Sequence, residues 1–242
     1  QAMTQLQHAF GEILVPRDQR PVTITSPTGF SSLWLVPRIT RLQARHPRIE
    51  LRITASNRVY DLRSEGIDLA IRYGDRTVAP ERAVLLMPET VAPAARPGLL
   101  NGPLEHVQQL DSLILLEFDD TARRDHLGWE GWLASRGWSD ARPKGILRFN
   151  HYEQVISSAI AGQGLALARP ELISLCLESN SLELVAPAIE APGDMCGHWL
   201  LAGDPQPRVD VKAVIEWLEQ EAVETLNREE RRRSAAAALV GR

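Results

Sequence analysis

Small polar side chains set between an apolar run and a helical pattern are the residues here best arranged for chemistry, and the chemistry they suit is holding an anion. After the apolar run at residues 22–25 come Ser26, Pro27, Thr28, Gly29 and Ser31, and then Leu35, Ile39 and Leu42 at helical spacing. The run at 146–149 leads in the same way into Asn150, His151 and Tyr152, ahead of Val155, Ile156, Ala159 and Ile160. The first backbone N–H groups of a helix have no intrahelical partner and carry partial positive charge, so a carboxylate is welcome there and neighbouring hydroxyls add donors. The same residue types also serve as N-caps, worth about 1 kcal/mol per helix, and residue type alone leaves both roles open. Asp119 and Asp120 follow the run at 113–118 in the equivalent place, where they either receive an ammonium group or turn a loop.

Other chemistries lack their residues. The six histidines show no metal-ligand spacing, with no HExxH and no CxxC, and neither a phosphate loop nor a G-x-S-x-G element is present. AGQGL at 161–165 is a helix-ending glycine turn, and Trp129, Trp132 and Trp138 read as packing, without the basic interleaving of a strand binder. An enzyme is therefore not expected, nor a cofactor. With 242 residues, 44% hydrophobic, 24% charged and a net charge of -4, the chain is a globular one that phosphate backbones do not attract. Neither a signal peptide nor a membrane-length apolar run is seen, so a cytoplasmic location is expected. Cys176 and Cys196 are expected as thiols, not a disulfide.

The elements that must position these residues alternate between strand and helix patterns, the signature of crossover-connected sheets. Strands are predicted at 22–25, 49–54, 67–72 and 84–87, with a helix through Leu35, Ile39 and Leu42 disturbed by Pro37, and a short helix at Val59 and Leu62. A Pro- and Ala-rich link at 89–97 separates this unit from a second one. That unit has a short helix at 104–110, strands at 113–118, 146–149 and 165–168, and helices at 129–136, 155–160 and 171–178. A strand about Trp199 to Leu201 and an amphipathic helix through Val211, Val214, Ile215 and Leu218 close the pattern. Residues 227–242 have no apolar stripe and read as a frayed tail, with Arg231, Arg232 and Arg233 a solvated run. At the other end Met3, Leu6, Phe10 and Ile13 mark an uncapped helix, followed by a polar link to residue 21.

Several of these segments, in order, resemble LysR-type effector domains: VTITSPTGFSSLWLVPRITRLQARHP at 22–47, RIELRIT and EGIDLAIRYG up to residue 74, FNHYEQVISSAIAGQGLALARPELI at 149–173, and GHWLLAG at 197–203. The IDLAIRYG element is similar to the subgroup that includes the glycine-cleavage activator and the β-lactamase inducer. The resemblance implies an α/β fold of two Rossmann-like subdomains joined by two crossover strands, like a type 2 periplasmic binding protein. Subdomain I would comprise 22–92 plus 199–226, and subdomain II 93–198, after the end of a linker helix at 1–21. It implies a small-molecule effector in the cleft between them, carboxylate-bearing on the residue pattern above, and lined by Ser26, Thr28, Gly29, Ser31, Asp119, Asn150, His151 and Tyr152. His198 falls where the subgroup has an aromatic cleft residue, and Asp68 where it has an acid. A homodimer or tetramer is implied, with promoter DNA contacted only through a winged helix-turn-helix that would precede residue 1. The alternative is a solute-binding protein of the same fold with no such head.

Overall fold

The computed structural model describes residues 20–76, 82–119, 128–190 and 196–240, with side chains through Ala235. The helix and link expected before residue 20, and Asp120, lie outside the described residues. Strand β1 (Val22–Ser26) opens the first unit and runs into a helical stretch, α1, over residues 28–45. Within α1 the segment Ser31–Leu35 is wound as a π-helix and Val36–Arg38 as a 3-10 turn before Ile39–Arg45 resumes the α-helix. Pro37 accounts for this, because it has no N–H to donate and its ring crowds the carbonyl four residues back.

Strands β2 (Leu51–Ala55), β3 (Leu69–Gly74) and β4 (Val84–Pro88) follow, and β11 (Gly197–Ala202) returns late in the chain to complete a sheet of order β2-β1-β3-β11-β4. β1 runs parallel to both β2 and β3, whereas β11 is antiparallel to β3 and β4. The helix expected at Val59 and Leu62 is a turn, and Val59 is exposed. The link expected at 89–97 is instead β5 (Thr90–Ala95), buried along its whole length. It belongs to the second sheet, so the chain crosses at Glu89, a few residues earlier than expected.

That second sheet contains β6 (Ile114–Phe118), β7 (Gly145–Phe149) and β8 (Leu165–Ala168) in parallel, in the order β10-β5-β8-β6-β7. Two short strands, β9 (Glu183–Leu184) and β10 (Ile189–Glu190), pair with β5 and have no counterpart in the periodicity. Helices α2 (Trp129–Ser135), α3 (Tyr152–Ile160) and α4 (Ser174–Glu178) cover the sheet. Trp129, Trp132 and Trp138 stack edge to face in a packed cluster, as expected, with the Trp129 indole donating to Leu116 O at 3.0 Å. No disulfide joins Cys176 and Cys196, and burial raises the Cys176 pKa, the wrong direction for a reactive thiol.

The last helix, α5 (Val209–Val240), is one unbroken element of 32 residues. This corrects the frayed tail. Its first half buries Val211, Val214, Trp217, Leu218 and Ala222 in a core shared by both sheets. Beyond Glu224 it is held by polar contacts instead: Thr225 and Glu229 are buried, Arg232 pairs with Glu229, and Arg233 reaches Glu171 and Thr90. Deep in the junction, fully buried Arg38 donates to Trp34 O at 2.9 Å and to Ser174 Oγ at 2.8 Å, with Glu221 at 3.7 Å. One guanidinium thus ties α1, α4 and α5. Among the described residues, no helix is long and apolar enough to cross a membrane.

Candidate functional site

Parallel strands of an open sheet end at one edge, and the crevice beyond their carboxyl ends is where such folds place ligands. Here the two sheets turn these edges toward each other. β1, β2 and β3 of the first sheet deliver Thr28, Asn57, Arg72 and Tyr73 to the cleft, and antiparallel β11 brings His198 to the same edge from its beginning. From the second sheet come Phe118 at the end of β6, Tyr152 at the start of α3, and Arg169 just after β8. Together with neighbouring residues they enclose about 230 Å³.

Of the residues expected at the site, Thr28, Gly29, Tyr152 and His198 line this cleft. Thr28 N–H donates to Asn57 Oδ1 at 3.3 Å, and no side chain caps the start of α1 or α3, so the N-cap alternative for Thr28 and His151 is not what the geometry shows. Gly29 matters for close approach: a Cβ there would stand 3.1 Å from a Tyr152 ring carbon and 3.2 Å from its Cβ. His198 is buried against Phe30 and Tyr73, with ring centroids 4.9 and 5.4 Å away. Burial, with the nearby Arg169 charge adding to it, pushes its pKa down to about 3, so its imidazole is neutral.

The others are placed elsewhere. Ser26 and Ser31 are buried and spend their hydroxyls on each other. Asp68 precedes β3 and therefore lies at the opposite edge of the sheet, where it accepts from Thr23 N–H at 2.9 Å and pairs with Arg20 and Arg208. Its part is to join β3, β1 and the segment leading into α5. Asn150 and His151 follow β7, the outermost strand, and His151 faces Glu153 at 3.7 Å. Asp119 is exposed, and its N–H bonds to Phe149 O at 2.7 Å. None of these lines the cleft.

Two arginines missed in the sequence dominate the cleft electrostatics. Arg169 donates to Glu89, which also accepts from the Tyr73 hydroxyl, and its own N–H donates to Tyr152 Oη at 2.7 Å. Burial works to lower the Arg169 pKa, but the Glu89 carboxylate outweighs it and holds the group charged above its ordinary value. Burial raises both tyrosines, Tyr152 up to about 12, so their phenols stay protonated as donors. Arg169 and Glu89 therefore cancel. Arg72, at the end of β3, donates to Ile71 O at 2.8 Å and more weakly to Thr25 Oγ1 at 3.4 Å, and lies 5.7 Å from the Tyr60 ring centroid. Burial lowers its pKa, and no carboxylate pairs with it among the described residues. It is the uncompensated charge of the cleft. Among the described residues no group of acidic, His or Cys side chains is placed to hold a metal ion.

The chain is similar to known proteins. The glycine cleavage system transcriptional activator of Escherichia coli is 28% identical over 218 residues, 89% of this chain and 69% of that protein. The transcriptional activator AmpR of Rhodobacter capsulatus is 30% identical over 151 residues, 62% of this chain and 50% of its own length. Among solved structures, the AmpR effector domain of Pseudomonas aeruginosa superposes with a TM-score of 0.62 at 26% identity, covering 86% of this chain and 99% of its own. That of Citrobacter freundii does so at 0.65 and 22%, covering 85% and 100%. The LysR substrate binding domain family matches residues 17–223, so the chain belongs to the LysR family of transcription regulators, as an effector-binding domain and not an enzyme.

Proposed function

We propose that this domain senses a small metabolite carrying a carboxylate, bound between the two sheets with its anionic end on Arg72. The observation that carries the proposal is the unpaired guanidinium of Arg72 in a cleft whose other arginine is neutralised by Glu89. A carboxylate there would complete a charge-assisted pair in partly desolvated surroundings. Thr28 Oγ1, Asn57 and the neutral His198 stand ready to bond the rest of the ligand, and Phe118 and Tyr152 supply apolar walls.

Because the lining comes from both sheets, a bound ligand favours one angle between them, and that differential affinity is what a sensor needs. LysR effector domains as a class bind small effectors and oligomerise. In a longer chain carrying a winged helix-turn-helix before residue 1, a dimer or tetramer of such domains would set how the DNA-reading heads are spaced on a promoter, in the cytoplasm. A thermal-shift panel of metabolite carboxylates, each run beside its carboxamide, tests the ligand class through mass-action stabilisation. Stabilisation by acids and not by their amides is expected, and stabilisation by amides or amines alone would overturn it.

A further inference from the structure

We propose that the end of α5 is a releasable strap that crosses the subdomain junction and restrains the hinge at Glu89. The family match ends at residue 223, whereas the helix runs on to Val240. Up to Thr225 the polar contacts of α5 are with α1 of the first unit. Its apolar face packs in the core, Arg41 donates to Glu221 at 2.8 Å, and the Trp34 indole donates to Thr225 at 3.1 Å. Past it the contacts change partner. Arg228 donates to Glu178 of α4 at 2.9 Å, and Arg233 donates at 2.9 Å to both Glu171 and the Thr90 hydroxyl.

Glu178, Glu171 and Thr90 all belong to the second unit, and Thr90 is the residue after the crossing point. Thr90 Oγ1 in turn donates to Glu171 at 2.6 Å. A continuous helix fixed at one end to the first sheet and at the other to the second cannot leave the inter-sheet angle free, because an α-helix rises about 1.5 Å per residue and bends little. Opening the cleft by rotation at Glu89 must break the Arg233 contacts or lift the helix end.

The attachment at this end is built to let go. Beneath it lies a cavity of about 450 Å³ with Leu226 and Cys196 in its walls beside Thr90, Glu171, Glu229 and Arg233, so the helix end and the second unit are not closely packed there. Glu171 is 3% exposed yet its Oε2 has no partner, which leaves the anchor incompletely satisfied. By contrast the deeper tie, Arg38 to Ser174, is fully enclosed. The strap thus biases the hinge while Arg38 keeps the two units together. A consequence for effector affinity rests on the cleft reading above, whereas the strap itself does not.

Hydrogen exchange of the ligand-free chain tests it, following the peptide over residues 84–95, which contains the Glu89 N–H bonded to Cys196 O at 2.9 Å. Arg233→Gln should speed exchange in that peptide at least fivefold and leave β1 and β6 unchanged. Glu171→Gln, which removes the charge from the other side, should do the same, and the two together no more than either alone. Unchanged exchange at the crossing in either folded variant, or an equal increase throughout both sheets, would overturn the proposal. Neither result depends on a ligand being known.

Discussion

Protonation in acid should cost the fold stability at one imidazole, His198, by an amount that can be worked out. In the unfolded chain a histidine titrates near 6.5, while in the fold burial, with Arg169 adding to it, holds His198 neutral down to about 3. Between those values the unfolded state binds the proton and the folded state does not. Stability is therefore complete above pH 6.5 and is lost as pH falls toward 3. At pH 5 the loss relative to pH 7.5 comes to about 2 kcal/mol, from roughly 1.4 kcal/mol per pH unit over the 1.5 units below 6.5.

Glu171 acts in the opposite sense. Burial raises its pKa to about 7, so its contribution is fully present below pH 4.5 and fades as pH rises through 7. In the parent protein the two slopes largely cancel, and a flat pH profile would hide both. His198→Phe removes one and keeps a ring between Phe30 and Tyr73. Urea denaturation followed by tryptophan fluorescence at pH 7.5 and 5.0 should show the variant gaining about 2 kcal/mol on the parent across that interval, whatever its starting offset. The same difference at both pH values, or a His198 ring titrating near 6.5 by NMR, would refute the burial argument.

Three further substitutions follow from the geometry. Glu171→Gln should gain about 2 kcal/mol on the parent between pH 5 and pH 8 in the same assay, with the sign opposite to an acid-labile ion pair. Gly29→Ala places a methyl 3.1 Å from the Tyr152 ring, whose hydroxyl is tied to the Arg169 N–H, so overpacking should cost on the order of 1 kcal/mol or more in denaturant. Thr28→Val should leave the ligand-free melting curve unchanged, since Thr28 caps no helix, and weaken a bound carboxylate by roughly 1 to 3 kcal/mol in calorimetric titration.

The alternation of strands and helices was legible because β1, β3, β4, β6, β8 and β11 bury Val, Ile or Leu side chains. β5 was not, since TVAPAA is built from small residues that fit between β8 and the short pair β9 and β10 and leave no large apolar signal. The second half of α5 was invisible for a related reason. Its partners are Glu178, Glu171 and Thr90, far away in sequence, and periodicity detects apolar faces only. In the site, the rule that ligands gather at the carboxyl ends of strands found Thr28, Gly29 and Tyr152. Applied equally to β3 and β8 it would have found Arg72 and Arg169, and it would have excluded Asp68, which stands before its strand. Ser26 and Ser31 could not have been sorted from Thr28 without knowing that they bond each other.

Arg72 is the proposed anchor of the effector. Calorimetric titration of the most stabilising carboxylate from the panel into the parent, Arg72→Gln and Arg148→Gln decides it, because Arg148 is an exposed arginine on β7 already paired with Glu117. Loss of a charge-assisted bond of about 1.5 to 3 kcal/mol predicts affinity reduced at least tenfold in Arg72→Gln and unchanged in Arg148→Gln. Equal affinity in all three proteins would contradict the placement of the effector in this cleft.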